Sequence, residues 1–421
     1  MPRFLFFMLW CAISATGVWA QDIVLTGKVI DAQTHETVPF ANIRTLKKTT
    51  TTSSNLNGEF EWHLPASALT DSLAISCIGY ETRRWSIARL AREKEIVLAI
   101  NPKTYSLQEV VITPNSGPKA ADIIQKAIDH IPDNYPVNPF VMHGFYREYF
   151  RENGNFVAFA EASVNIHDPE GYRRSKSKKQ NKAKEIIQVE ELRVSDICNK
   201  GDYVLYIDLN YALRSNFVRN VDFWKDFGDQ MNYKTERLTI DEMTYLDKDL
   251  VYVISYDMLS RRTGRYSGKL YIRSNDYAVL KIELNVQNSS NANMNGAPQQ
   301  TKATMTFAEN SEGKLCLNYI NANHELSYIV NDQQYQLHFF SELIVNHSEP
   351  QSSMPMIADE TVLKSSIFYQ PRYRTFAPEY WKSYKLFENS LNNTLIINDL
   401  QRTRPLDTQY KANGKLKIGG R

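Results

Sequence analysis

His167-Asp168-Pro169-Glu170 has the His-x-x-Glu spacing with which zinc peptidases hold their metal, a separate Glu serving as base. With 8 His and 25 Glu in 421 residues, about half of one such pair is expected by chance. Pro169 and Gly171 mark a turn, and none of the surrounding enzyme pattern follows. His167 and Glu170 are therefore weak metal candidates, and no metal or other cofactor is expected. The chain lacks a GxSxG elbow, a Walker loop, a GxGxxG after a strand and an HExxH; His324-Glu325 has no second His. Glu190/Glu191 and Asp241/Glu242 are adjacent, which on a regular strand turns the two carboxylates to opposite faces, a poor arrangement for acid–base work at one bond. No residue is assigned a catalytic role.

The densest local charge is basic: Arg173, Arg174, Lys176, Lys178, Lys179, Lys182 and Lys184 place seven positive charges within twelve residues. Such a run suits anionic lipid headgroups, lipopolysaccharide phosphates or acidic polysaccharide. The plainer reading is a solvated loop between strands, partly neutralised by Glu185, Glu190 and Glu191. Only Tyr172 interleaves an aromatic, which disfavours a nucleic-acid platform. Aromatic runs that could stack on sugar rings are Tyr203, Tyr206 and Tyr211, then Phe223, Trp224 and Phe227, most of them expected in the core. Tyr369 to Tyr373 and Tyr380-Trp381 suggest a lid or clasp against a sheet.

These side chains must be positioned by elements the composition already favours. The 24 Tyr, 19 Phe and 6 Trp against 17 Gly lean towards pleated, half-buried surfaces. The 49 Lys+Arg nearly cancel 47 Asp+Glu at +2, which falls to +1 without Arg3, arguing against a global nucleic-acid footprint. Met1 to Ala20 reads as a secretory signal: Arg3, the apolar Phe4 to Ile13, and Val18-Trp19-Ala20 before Gln21. No later segment is long and apolar enough to span a membrane, so no transmembrane segment is expected after cleavage. Cys77, Cys198 and Cys316 then remain, widely spaced and odd in number, and are expected as buried, inert thiols with at most one disulfide.

Asp22 to Thr113 reads as about seven short strands separated by turn signals, the signature of a β-sandwich, with a tight hairpin at Asn57-Gly58. Pro114 to Pro118 is a linker into a helix over Lys119 to His130, where Ala120, Ile123, Ile124, Ala127 and Ile128 share one face. Ile131-Pro132 ends it. Long alternating runs follow from Phe140, with a hairpin turn at Ser274-Asn275-Asp276, implying an antiparallel meander with one face covered. Past Asn389 the chain turns polar and reads as a loosely held tail.

Gly27 to Asp31, Val38 to Ile43, Asn57 to Phe60, Ser76 to Tyr80 and Leu107 to Thr113 together resemble the carboxypeptidase-like regulatory domain, in order and spacing. That resemblance implies a small transthyretin-like sandwich without catalytic residues, common before TonB-dependent outer-membrane transporters and in other exported bacterial proteins. His35-Glu36-Thr37 departs from it, where the family has a Gly-bearing turn. Ile123 to Ile128, Ile131 to Pro136 and Gly144 to Glu148 resemble the members that carry this domain before a large non-transporter β region. Val251 to Ile254 and Gly268 to Ile272 are similar to the curved sheet of periplasmic lipoprotein carriers. The remaining roughly 300 residues are too few for a plug and a 22-stranded barrel.

The expected architecture is mainly β: an N-terminal seven-stranded β-sandwich and a large curved antiparallel β-sheet domain with one linking α-helix. Its divisions are 1–20 signal, 21–113 sandwich, 114–139 linker with helix 119–130, 140–390 large β domain and 391–421 polar tail. The expected function is non-enzymatic binding or scaffolding in the periplasm or on the periplasmic face of the outer membrane. A glycan, a lipid or an outer-membrane transporter or other envelope protein would be the partner, with no nucleic acid. The alternatives are a metal-dependent peptidase or hydrolase, and an envelope anchor working through the basic loop.

Overall fold

The computed structural model describes residues 23–46, 50–103, 119–172, 185–200, 209, 213, 216, 218–219, 237–260, 264–288, 299–352, 355–357, 362–363, 376–382, 384 and 391–413. The signal segment, the basic loop 173–184 and the aromatics Tyr203, Tyr206, Tyr211, Phe223, Trp224, Phe227 and Tyr369 to Tyr373 lie outside the described residues.

The first unit is a sandwich of two sheets. In one, β4 (Glu59–Leu64) and β7 (Ile96–Ile100) flank β1 (Ile23–Asp31). In the other the order is β3 (Thr51–Ser53), β2 (Asn42–Thr45), β5 (Ser72–Ser76), β6 (Arg83–Ser86). Alternation drives the inward residues, among them Val29, Ile43, Phe60, Trp62, Ile75 and Leu98, into one core. Asn57-Gly58 makes a tight turn with Gly58 at φ 73°, but it joins β3 to β4, which belong to different sheets. The Asn55 side chain explains this: its Oδ1 accepts from both Asn57 N and Glu59 N at 2.9 Å, turning the chain across the sandwich instead of back along it.

β1 and β7 run parallel, and Gly27 makes their close approach feasible. A Cβ there would sit 2.3 Å from the Ile96 carbonyl oxygen. Gly27→Ala is accordingly expected to part the two strands and lower stability by about 1–3 kcal/mol, read as an earlier urea midpoint. An unchanged midpoint would mean that the strands separate freely.

The second unit is a ten-stranded, wholly antiparallel sheet. β8 (Phe140–Glu152), β9 (Asn155–Asp168) and β10 (Ile186–Val194) form one meander. β11 (Leu238–Leu246), β12 (Asp249–Ser260), β13 (Gly264–Arg273), β14 (Val279–Gln287), β15 (Gln300–Glu309), β16 (Leu315–Val330) and β17 (Gln333–Pro350) form the other. Pairing of β8 with β17 joins them, leaving β10 and β11 at the edges.

One face of this sheet is apolar and filled. The helix Ala120–Asp129 lays Ala120, Ile123, Ile124, Ala127 and Ile128 on it, the five residues its periodicity predicts. A further turn, Ile131–Asn134, continues past Pro132, which is tolerated in a first turn. Tyr135 then donates from its hydroxyl to the Val279 carbonyl at 2.6 Å and stacks on Tyr172. Among the described residues no helix is long and apolar enough to cross a membrane.

Past Asn389 there are two packed helices, Leu391–Leu400 and Leu406–Asn413, where the sequence suggests a loose tail. Ile396, Leu400, Leu406 and Tyr410 close an apolar cluster with Phe156 and Phe159 of β9. Polar anchors add to it. Asp399 accepts from Phe156 N at 2.9 Å, and the Arg404 fork meets Asp196 at 2.7 and 2.6 Å.

Candidate functional site

Two cross-strand rows run along the second face of the large sheet. Strand register fixes the first row across all ten strands as Glu191, Ser163, Phe145, Ile344, Tyr319, Thr306, Lys281, Tyr271, Val253 and Glu242. The second row runs Arg193, Glu161, Arg147, Glu342, Asn321, Thr304, Glu283, Lys269, Ser255 and Thr239. Directly opposed residues on neighbouring strands touch, so both rows are continuous lines of contact.

The first four members of the second row alternate in charge and are buried. Glu161 is the hinge. Its Oε1 accepts from Arg147 Nε at 2.7 Å and Nη2 at 2.6 Å, and its Oε2 from Arg193 Nε at 2.5 Å. Glu342 lies 3.9 Å from Arg147 and accepts from the Tyr319 hydroxyl at 2.5 Å. Burial pushes its carboxyl above the usual carboxylate range, opposed by Arg147 and the Tyr319 hydrogen bond.

The C-terminal segment and the sandwich cap this ladder. Trp381 lies under the Arg193 guanidinium, 4.5 Å from ring centre to Cζ, and Tyr384 stacks between Phe145 and His63 of β4. The expected clasp at Tyr380-Trp381 is therefore in place against the sheet. The gap it leaves, lined in part by Glu61, His63, Arg147, Glu161 and Tyr384, measures about 20 Å³, room for a single water. This end is a seat that holds three parts of the chain together.

The other end of the first row opens into a cleft of about 310 Å³ between sandwich and sheet. Lys281 stands at its centre, with its ammonium 2.7 Å from Glu283 and over the rings of Tyr271 and Phe40. Phe40 reaches across from the sandwich to Tyr319, with ring centres 5.1 Å apart, from a backbone held at φ 61°. That conformation is costly for a bulky residue and persists only where the surroundings enforce it. Burial pushes the Cys77 thiol up to about 11, Lys281 opposing, so it is a poor nucleophile at neutral pH. Thr306, opposite Lys281, is 8% exposed, and its hydroxyl has no hydrogen-bond partner.

Backbone bonds fix the two walls of the cleft. Gly79 N donates to the Tyr245 carbonyl of β11 at 2.9 Å, and Gly79 O accepts from Lys103 N at 2.8 Å. Thr82 and Lys103 also hold Asp247 at the β11–β12 turn. Thr51 Oγ1 lies 3.3 Å from Asn318 Oδ1 at the opposite side of the contact.

His167 is buried at the end of β9, its ring nitrogens each 3.2 Å from an amide oxygen, of Gln351 and of Gln188. Glu170 is exposed in a turn that Asp168 builds by accepting from Glu170 N and Gly171 N while pairing with Arg219. Among the described residues no three His, Cys, Asp or Glu are placed to hold a metal ion. Cys316 is buried on β16, but Cys77 and Cys198 are half-buried and off the strands; all three are free. The carboxylate pairs differ from expectation. Bulges at Glu190 and Asp241 insert one residue into each edge strand, so both members of each pair reach the same face. There Glu190 accepts from Asn165 and Asp241 from Ser255, while Glu191 and Glu242 end the first row.

The ladder and the orphaned hydroxyl escape the sequence reading. Their signal is the alternation Phe145-Tyr146-Arg147-Glu148 and Tyr319-Ile320-Asn321, which assigns faces without saying which strands adjoin.

Residues 25–112 match the family model of the CarboxypepD_reg-like domain. The match bears out the resemblance drawn from Gly27 to Thr113, and does not tie the chain to outer-membrane transporters. No curated protein matches the chain. Among solved structures it is similar to a domain described as an outer membrane lipoprotein-sorting protein from Vibrio parahaemolyticus, at 8% identity over 56% of this chain and 95% of that one, TM-score 0.25. A LolA superfamily protein from Nitrosomonas europaea is 11% identical over 57% of this chain and 96% of its own, TM-score 0.23. The MucA/MucB complex of Pseudomonas aeruginosa gives 10% identity over 56% and 100%, TM-score 0.17. TM-scores of this size say nothing about what the chain binds.

Proposed function

We propose that this is an exported cell-envelope protein that binds or scaffolds without catalysing, and that it recognises its ligand or partner in the cleft between sandwich and sheet. Residues 1–20 would direct export, placing the sandwich of 21–113 and the β domain of 140–390 in the periplasm or on the periplasmic face of the outer membrane. The observation that carries the reading is the state of the groups in the cleft. Lys281 is paired with Glu283, the Cys77 thiol is held protonated, and Tyr271 is pushed up by burial while its hydroxyl donates to Glu283. Groups so placed can hold a ligand, but the Cys77 thiol and the Tyr271 hydroxyl are both pushed away from proton exchange near neutral pH.

Of the expected ligands, an acyl chain is disfavoured by the filling of the apolar face. Ile123, Ile124, Ile128 and Tyr135 occupy that face from within. A glycan or a protein surface suits the polar and aromatic cleft better.

Ser76 ends β5, half-buried in the cleft wall, and Ser76→Trp would fill the space. Native mass spectrometry of the protein taken from its own envelope fraction should show a bound component that Ser76→Trp lacks. An unadorned mass for both, or the same adduct on both, would sink the reading.

A further inference from the structure

We propose that the sandwich holds a second binding site, a gap in its first sheet that takes up an extended peptide segment of a partner protein as an added strand. The gap shares no lining residue with the cleft, so its occupation does not depend on what the cleft holds.

β1 is the middle strand of that sheet, yet it has two neighbours along only part of its length. β4 pairs with it from Ile23 to Lys28, whereas β7 joins it only at Gly27, opposite Ile96. Between Leu90 and Ile96 the chain is turning, so among the described residues nothing pairs with Ile23–Thr26 on the β7 side. The space left there is a groove of about 600 Å³, lined by Val24, Thr26 and Gly27 of β1 and by Ala91, Lys94 and Glu95 of the turn.

The main chain gives this groove its chemistry. Val29 N donates to Gly58 O at 2.8 Å and Val29 O accepts from Val38 N at 2.9 Å, both on the β4 side. Hydrogen-bonding groups of successive strand residues point to opposite sides, so Val24 and Thr26 turn theirs into the gap. Parallel pairing of Gly27 with Ile96 engages the Thr26 carbonyl, which leaves the Val24 N–H and C=O and the Thr26 N–H for a third strand. Gly27 has no side chain, so what it shows to the groove is main chain. Open groups at a strand edge are a template for another strand, and edges are ordinarily blunted. The outer edge of β7 is blunted, since Arg83 Nη1 donates to the Ala99 carbonyl at 2.9 Å. Among the described residues no side chain does the same for Val24 or Thr26.

The open groups alternate along an extended main chain, which a peptide matches by adding a strand. That strand would lie end to end with β7 and continue the pairing that β7 already makes with β1. Leu90 lines the groove from the core and is 2% exposed, so it offers the strand an apolar contact. Charge around the groove is mixed: Lys28 lies 3.9 Å from Glu59, Arg89 lies 3.4 Å from Glu93, and Lys94 is followed by Glu95. An uncharged segment therefore fits better than an acidic or a basic one. Its length is set by Ile23–Thr26, four residues or about 13 Å.

The test is a printed array of short peptides tiling the exported proteins of the same organism, read with the full-length protein. The strongest uncharged binder is then titrated against the parent and three variants. Thr26→Pro removes one N–H that faces the gap and none that serves β4, a position where a strand tolerates proline. It should weaken binding at least about tenfold while still unfolding cooperatively. Ala91→Trp, at an exposed lining position, should fill the groove and abolish binding. Thr26→Ala changes only a side chain and should bind like the parent. Bound peptide should also slow amide exchange at Val24 and Thr26 of the parent. No uncharged binder on the array, full affinity in Ala91→Trp or in folded Thr26→Pro, or unchanged exchange at both amides would each overturn the proposal. If Thr26→Pro does not fold, Ala91→Trp and the exchange rates decide. A parent dimer that Ala91→Trp converts to a monomer would put a second copy of this chain in the gap and overturn the partner class.

Discussion

Glu161→Ala is expected to lower the free energy of unfolding by about 3–5 kcal/mol, the range for breaking a buried ion pair by removing one partner. Glu161 is fully buried, and its two oxygens neutralise Arg147 and Arg193 separately. Without it two guanidiniums remain in the interior, facing each other across the gap. Trp381 and Tyr410 both lie near the Arg193 guanidinium and keep it from water. Urea unfolding followed by Trp fluorescence would measure the loss.

Replacing the whole triad is expected to behave differently. Arg147→Met, Glu161→Leu and Arg193→Met, combined with Glu342→Gln because Glu342 would lose Arg147, leave no unpaired charge in the ladder, and the combined variant should recover most of the stability lost by Glu161→Ala. A loss below about 1 kcal/mol in the single variant would mean that water reaches both guanidiniums, and the ladder would then be an exposed ion pair in disguise. Because the C-terminal segment and His63 of the sandwich meet over this ladder, Glu161→Ala should also loosen residues 376–382 and Tyr384. Faster amide exchange there, before global unfolding, would separate a local seat from a general loss of core.

The contrast between the helix at Ala120–Asp129 and the ladder shows what the sequence could disclose. The helix follows from residues three and four apart, and all five of its buried positions are readable along the chain. Arg147, Glu161, Arg193 and Glu342 meet only because β9 pairs with both β10 and β8, and β8 with β17, pairings that period-two alternation does not encode. The bulges at Glu190 and Asp241 are similarly local in effect but invisible in composition, and they reverse the face expected for one carboxylate of each pair. The C-terminal helices did leave a trace: Ile396 and Leu400, and Leu406 and Tyr410, are each four residues apart. Their weak amphipathicity hides it, since much of their hold comes from Asp399, Arg404 and Gln409 binding β9 and Asp196. The cleft could not be read at all before the sandwich was seated, because Phe40 and Thr306 share it from opposite units.

Acid should destabilise the protein through a buried histidine. His324 on β16 is fully buried, stacks on Phe339 and has Nδ1 2.9 Å from Thr301 Oγ1. Burial, with a smaller push from His338, brings its pKa down to about 3 from an ordinary 6.5. The folded state therefore keeps the ring neutral where the unfolded chain would take up a proton. Its contribution is complete above pH 6.5 and is lost as pH falls from 6.5 to about 3. The slope in that window should approach about 1.4 kcal/mol per pH unit, for a total of about 4–5 kcal/mol. His338, also depressed by burial, adds in the same direction. Glu342 acts oppositely: its raised pKa makes its contribution greatest below the ordinary carboxylate value of 4.5 and lost as pH rises through the folded value. Glu342 works against the histidines where the two ranges overlap, but it is common to the parent and to His324→Gln, so the difference between them from pH 6.5 to 5 isolates His324. Urea midpoints measured every half unit through that window should fall steadily for the parent and much less for His324→Gln. Parallel curves would show that His324 is reached by water in the folded state and that acid lability arises elsewhere.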